Sequence, residues 1–125
     1  MVFEGAREVI WELTNHSLLL FGTTAMESEI ARQRLEAAEL LQSFTLIAGS
    51  DIGSKKETHL RAFAEAGGAP FETFVKESVY FAGTPEDVEI AREFGVFCIG
   101  IANLAVPEAL QRAGAKEVVR TIMQL

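Results

Sequence analysis

The stretch from Glu77 to Ile101, ESVYFAGTPEDVEIAREFGVFCIGI, constrains the fold more than any other part of the chain. Ser78 to Ala82 is a run of β-branched and aromatic residues that reads as a strand, broken by Gly83. A strong helix start follows. Thr84 can cap, Pro85 suits the first helical position, and Asp87 lies three residues after the cap, where a carboxylate can bond back. Val88, Ala91 and Phe94 recur at helical spacing, Gly95 suits the end of that helix, and Val96 to Ile101 reads as a second buried strand. A strand, helix and strand of this size imply parallel strands joined by a right-handed crossover.

The rest of the chain repeats that alternation. A helix is expected over Ala6 to Asn15, with Val9, Ile10 and Leu13 on its apolar side, then a strand over Ser17 to Phe21 ended by Gly22, Thr23 and Thr24. The longest helix is expected from Ala25 to Leu41, with Ile30, Leu35, Ala38 and Leu41 on one face and Glu27, Arg32, Arg34 and Glu36 toward solvent. Phe44 to Ala48 reads as a strand ended by Gly49, Ser50 and Asp51. Lys55 to Ala66 reads as a helix stopped by Gly67 and Gly68, and Pro70 to Lys76 as a short helix. Past the central unit, Pro107 opens a helix to Arg112, and Glu117 to Ile122 forms a last strand. The class is α/β, a three-layer Rossmann-like arrangement with a parallel sheet. The length of 125 residues fits a single domain over 1–125, with no repeat and no linker.

A hydrophobic content of 49% suits a parallel sheet covered on both faces. The net charge of −7 argues against nucleic acid and against an anionic membrane surface as partners, since either would want a basic face. A single cysteine, Cys98, excludes an internal disulfide and fits a reducing, cytoplasmic compartment, and its flanks Phe97 and Ile99 make it a buried strand thiol. No apolar run approaches the length of a membrane span.

VYFAGTPEDVEIAREFGVFCIGI resembles the last conserved motif of the haloacid dehalogenase-like (HAD) phosphatases: a hydrophobic strand, Gly-Asp-x-x-x-Asp, a helix and a strand. The first aspartate of that motif falls on Gly83, and only the second, Asp87, is present. VFEGAREVIWEL is similar to the family's helix leading into its second core strand, and the resemblance runs from about Val2 to Val119. It implies a HAD-like core, phosphoglycolate-phosphatase-like, without the family's first strand and without a cap. In the family that strand lies between those matched by Ser17–Phe21 and Ser78–Ala82, which must then pair directly unless something else fills the slot.

The resemblance also assigns candidate residues. Thr23 or Thr24 stands where a hydroxyl bonds the substrate phosphate, Thr23 being favoured; a plain helix cap is the alternative for either. Lys55 opens KKETHLRAF, and its spacing to Glu57, Ala62 and Phe63 is similar to a family form whose lysine neutralises phosphate and nucleophile. Lys55 is thus the candidate catalytic cation, with Lys56 as rival and a solvated lysine pair as the alternative. Gly83 and Thr84 stand in the phosphate-binding loop, whose amides from Gly83 to Glu86 open a helix. Asp87 stands where a carboxylate holds the magnesium site, with a structural cap as its other reading. His16 and His59 read as surface or packing residues.

HAD catalysis needs an Asp-x-Asp whose first carboxylate attacks phosphorus. The 125 residues contain two aspartates, Asp51 and Asp87, and no Asp-x-Asp. Mg2+ is therefore expected only weakly, since most of the family's ligands are missing. Three functions follow. The first is a HAD-like pseudoenzyme without phosphatase activity of its own, binding a phosphate-containing small molecule or a partner. The second is a magnesium-dependent phosphomonoester hydrolase completed by another chain or segment, as in a homo-oligomer. The third is a purely structural interaction module.

Overall fold

The computed structural model describes residues 6–16, 18–53, 57–102 and 105–119. The chain divides into two compact units, the first essentially 6–71 and the second essentially 72–125.

In the first unit α1 (Ala6–Asn15) precedes β1 (Phe21–Thr23), α2 (Ser28–Ala37), a 3-10 turn at Leu41–Ser43, β2 (Leu46–Ala48) and α3 (Glu57–Ala66). β1 and β2 pair in parallel, with Phe21 opposite Leu46 and Thr23 opposite Ala48. Leu40, Ile47, Ala48, Leu60, Phe63 and Ala64 are buried, and the rings of Phe21 and Phe63 stack at 5.0 Å. Burial of these side chains is the main force holding so short a two-stranded sheet. Gly49, directly after β2, permits a close approach: a Cβ there would lie 2.2 Å from Met26 O and 2.4 Å from Ser28 N.

Two expected boundaries move here. The strand expected over Ser17–Phe21 is observed as Phe21–Thr23, and Leu18 and Leu19 are largely exposed. Gly22 lies inside the strand because the Ile47 side chain occupies the space beside it; a Cβ would come 2.6 Å from Ile47 Cδ1. The helix expected over Ala25–Leu41 is only Ser28–Ala37. Its start is fixed from outside, because the Ser28 amide donates to Asp51 Oδ1 at 2.6 Å. Its end is a left-handed turn at Glu39, φ 61°, from which the Leu40 amide reaches Leu35 O at 2.8 Å.

In the second unit α4 (Phe71–Glu77) leads into β3 (Val79–Ala82), α5 (Pro85–Phe94), β4 (Phe97–Ile101), α6 (Pro107–Ala113) and β5 (Glu117–Val119). The three strands are parallel in the order β3, β4, β5, with Ala82 opposite Gly100 and Ile101 opposite Val119. α5 has the cap, the proline and the C-terminal glycine read from the sequence: Thr84 Oγ1 accepts from Asp87 N at 3.2 Å, and Gly95 is left-handed at φ 73°. Val88, Ala91, Leu110 and Cys98 form the centre of this core.

The segments Ser17–Phe21 and Ser78–Ala82, expected to pair directly unless something else fills the slot between them, belong to the two different units. Among the described residues there are two sheets, β1 with β2 and β3 with β4 and β5. β1 and β3 each spend one edge on a neighbour within their own unit, and the other edge has no strand partner there.

Candidate functional site

In parallel sheets ligands are taken at the carboxyl ends of the strands. In the first unit those ends are Thr23, the last residue of β1, with Thr24 after it, and Gly49 to Gly53 after β2.

His59, 1% exposed on α3, ties these ends together. Its Nε2 is 2.9 Å from both Gly49 O and Gly53 O, and its Nδ1 is 2.7 Å from Thr23 Oγ1. Carbonyl oxygens only accept, so the partners assign the hydrogen to Nε2. With the hydrogen on Nε2 alone, Nδ1 accepts the hydroxyl hydrogen of Thr23. Thr23, the favoured phosphate ligand of the sequence, thus has its donor committed to His59. Thr24 differs. Its Oγ1 accepts from Met26 N at 3.2 Å, and its hydroxyl hydrogen has no acceptor among the described residues.

Asp51 is also committed. Its Oδ1 accepts from Ser28 N at 2.6 Å and from Ser28 Oγ at 2.7 Å, while Ser28 Oγ accepts from Gly49 N at 2.8 Å. The Ser28 amide, then the Ser28 hydroxyl, hold the Asp51 carboxyl below its ordinary range. Asp51 therefore serves as a cap for α2 and is not poised as a nucleophile. Ser28 and His59 were not recognised in the sequence as site residues. Ser28 was placed inside a helix rather than at its start, and an isolated histidine carries no spacing signal.

In the second unit the loop after β3 holds Gly83 and Thr84. The Asp87 amide is taken by Thr84 Oγ1 and Pro85 has no N–H, so Glu86 offers the first-turn amide that faces outward from α5. Tyr80 Oη donates to Asp87 Oδ1 at 3.4 Å. A Cβ at Gly83 would meet nothing within 4 Å, so the position where the resembled motif carries its first aspartate has room for a side chain. Lys55 and Lys56 lie outside the described residues, and α3 starts at Glu57.

Mg2+ takes near-octahedral oxygen ligands, usually one or two carboxylates with substrate phosphates and water. Among the described residues no three His, Cys, Asp or Glu side chains come together in a metal-holding group. Asp51 Oδ1 is taken by the Ser28 amide and hydroxyl, and Asp87 Oδ1 accepts from Tyr80. Cys98, 2% exposed, is the buried strand thiol expected; burial first, then the charge of Asp87, push it up to about 11. No described helix is long and apolar enough to cross a membrane.

No family model and no curated protein matches the chain. Solved structures do. A haloacid dehalogenase-like family hydrolase from Streptococcus pneumoniae matches with TM-score 0.84 and 18% identity, over 98% of this chain and 57% of that one. A protein assigned as a β-phosphoglucomutase from Thermotoga maritima matches with TM-score 0.78 and 24% identity, over 94% and 55%. One assigned as a phosphoglycolate phosphatase from Lactobacillus delbrueckii subsp. bulgaricus matches with TM-score 0.79 and 23% identity, over 98% and 51%. The fold is thus the Rossmann-type α/β fold of HAD-like phosphatases. The chain spans little more than half the length of each structure it matches.

Proposed function

We propose that these 125 residues bind a phosphate-bearing small molecule at the strand ends and do not hydrolyse it unaided. The observation that carries the reading is the contrast between the two threonines. Thr24 keeps a hydroxyl hydrogen to donate to a phosphate oxygen, whereas Thr23 gives its own to His59. The HAD-like fold supports a phosphate ligand, and the resemblance adds Lys55 as a further contact. The carboxylates support a reading without unaided hydrolysis: the 125 residues hold two aspartates, Asp51 and Asp87, and Asp51 is engaged as a cap.

A second reading is a magnesium-dependent phosphomonoester hydrolase completed by another chain or segment. It is favoured by the fact that the matched structures are nearly twice as long. Hydrolysis of a panel of phosphate monoesters with magnesium, beside a Lys55→Ala control, decides between them. No turnover is expected in either protein. Turnover that disappears in Lys55→Ala would overturn the first reading in favour of the second. Phosphate binding unchanged by both Thr24→Val and Lys55→Ala would leave a structural interaction module.

A further inference from the structure

The second unit has a cavity of about 650 Å3 at the other end of its sheet, beside the start of β4 at Phe97 and Lys116 just before β5. Four cations line it: Lys76 from the last turn of α4, Arg92 from that of α5, Arg112 from that of α6, and Lys116. No carboxylate lines it. Among the described residues none of the four is in an ion pair. This is unusual placement in a chain with 11 Lys and Arg against 18 Asp and Glu.

A cation in a last turn complements the dipole of its own helix. That accounts for Lys76, Arg92 and Arg112 one at a time. It does not account for Lys116, which precedes a strand, or for the meeting of all four around one space. The backbone also makes room for the cluster. Gly114 is left-handed at φ 115°, and a Cβ there would lie 2.9 Å from Arg92 Cδ, so the glycine admits the Arg92 stem.

We infer that this cavity is an anion site for the phosphate chain of a polyphosphate, distinct from the strand-end site proposed above. Its volume lies in the range of small-molecule pockets, about 300–1,000 Å3. Four cations exceed what one phosphate needs and balance a triphosphate, which carries ~4 negative charges near neutral pH. Arginine forks and lysine point charges are the groups that bind phosphate oxygens. Phe97, 44% exposed and also lining the cavity, offers a ring on which a nucleobase can stack. The phosphate chain can thus come from inorganic triphosphate or from a nucleoside triphosphate.

The test is calorimetric titration of the full chain with each of these two ligands, at low salt and with EDTA present. Two double variants, Arg92→Gln with Arg112→Gln and Lys76→Gln with Lys116→Gln, are compared after circular dichroism confirms folding. Saturable binding that weakens at least about tenfold in each double variant is expected. Binding should also weaken as salt is raised. A tighter nucleoside triphosphate whose advantage disappears in Phe97→Ala would assign the nucleotide; equal affinities would assign the phosphate chain alone, and both support the site. No saturable binding of either ligand, or unchanged affinity in both double variants, would overturn it.

Discussion

Ser28→Ala should be among the most damaging substitutions of a small side chain in the first unit. Ser28 is 1% exposed, and its hydroxyl serves two loops at once, donating to Asp51 and accepting from the amide of Gly49. Alanine removes both bonds. Gly49 is buried, and its amide then faces no acceptor at a position where Met26 and Ser28 backbone atoms crowd it. An orphaned buried donor costs about 1–3 kcal/mol. For a chain of this size that corresponds to a fall of roughly 4–11 °C in Tm. Asp51→Ala is the control. It removes the carboxylate but leaves the Gly49 amide bonded to Ser28, and the freed Ser28 groups open toward water, because Asp51 is exposed. The expected order of thermal stability is wild type, then Asp51→Ala, then Ser28→Ala. A Ser28→Ala protein that melts within about 2 °C of wild type, or above Asp51→Ala, would refute the reasoning.

Three further outcomes follow from the same geometry. The folded Asp51 pKa lies below its ordinary value of 3.8, so its contribution is present above that pH and is lost as the pH falls through the lower, folded value; acid titration of Asp51→Ala should lack this component, and an identical acid profile would contradict it. Gly95→Ala should cost about 1 kcal/mol in urea denaturation, because φ is 73° there, whereas Gly83→Ala, with open space and no left-handed backbone, should be neutral or gain about 0.4–1 kcal/mol; equal losses would be contrary. Cys98, buried and pushed up to about 11, should react with a thiol reagent at pH 8 only after unfolding, and rapid stoichiometric labelling of the native protein would contradict the placement.

The described elements of the second unit were legible in the sequence to within about a residue at their ends, while the part of the last strand expected over 120–122 lies outside the described residues. The unit's signals are local: Thr84 and Pro85 at one end of α5, Gly95 at the other, and a proline at the start of α6. The first unit was less legible because its boundaries are set by distant partners. α2 starts where Asp51, from the loop after β2, meets Ser28, and ends on a left-handed glutamate instead of a glycine. Gly22 looks like a strand stop but gives room to Ile47 across the ladder. The site shows the same division. Thr23, Thr24, Gly83, Thr84 and Asp87 are nominated by the family resemblance, which the motifs in the sequence carry. That His59 takes the Thr23 hydroxyl, and Ser28 the Asp51 carboxylate, depends on contacts 36 and 23 residues apart, which no local pattern encodes.

The central claim is that Thr24, not Thr23, donates to a bound phosphate. The most direct measurement is the affinity for inorganic phosphate, followed by phosphorus NMR line broadening, in wild type, Thr24→Val and Thr23→Val. The Lys76→Gln with Lys116→Gln background separates this site from the basic cavity of the second unit. Thr24→Val should weaken binding by about tenfold, as expected for loss of one hydrogen bond to a charged oxygen, while folded Thr23→Val should bind as wild type does. Loss of binding in Thr23→Val with full affinity in Thr24→Val would contradict the assignment.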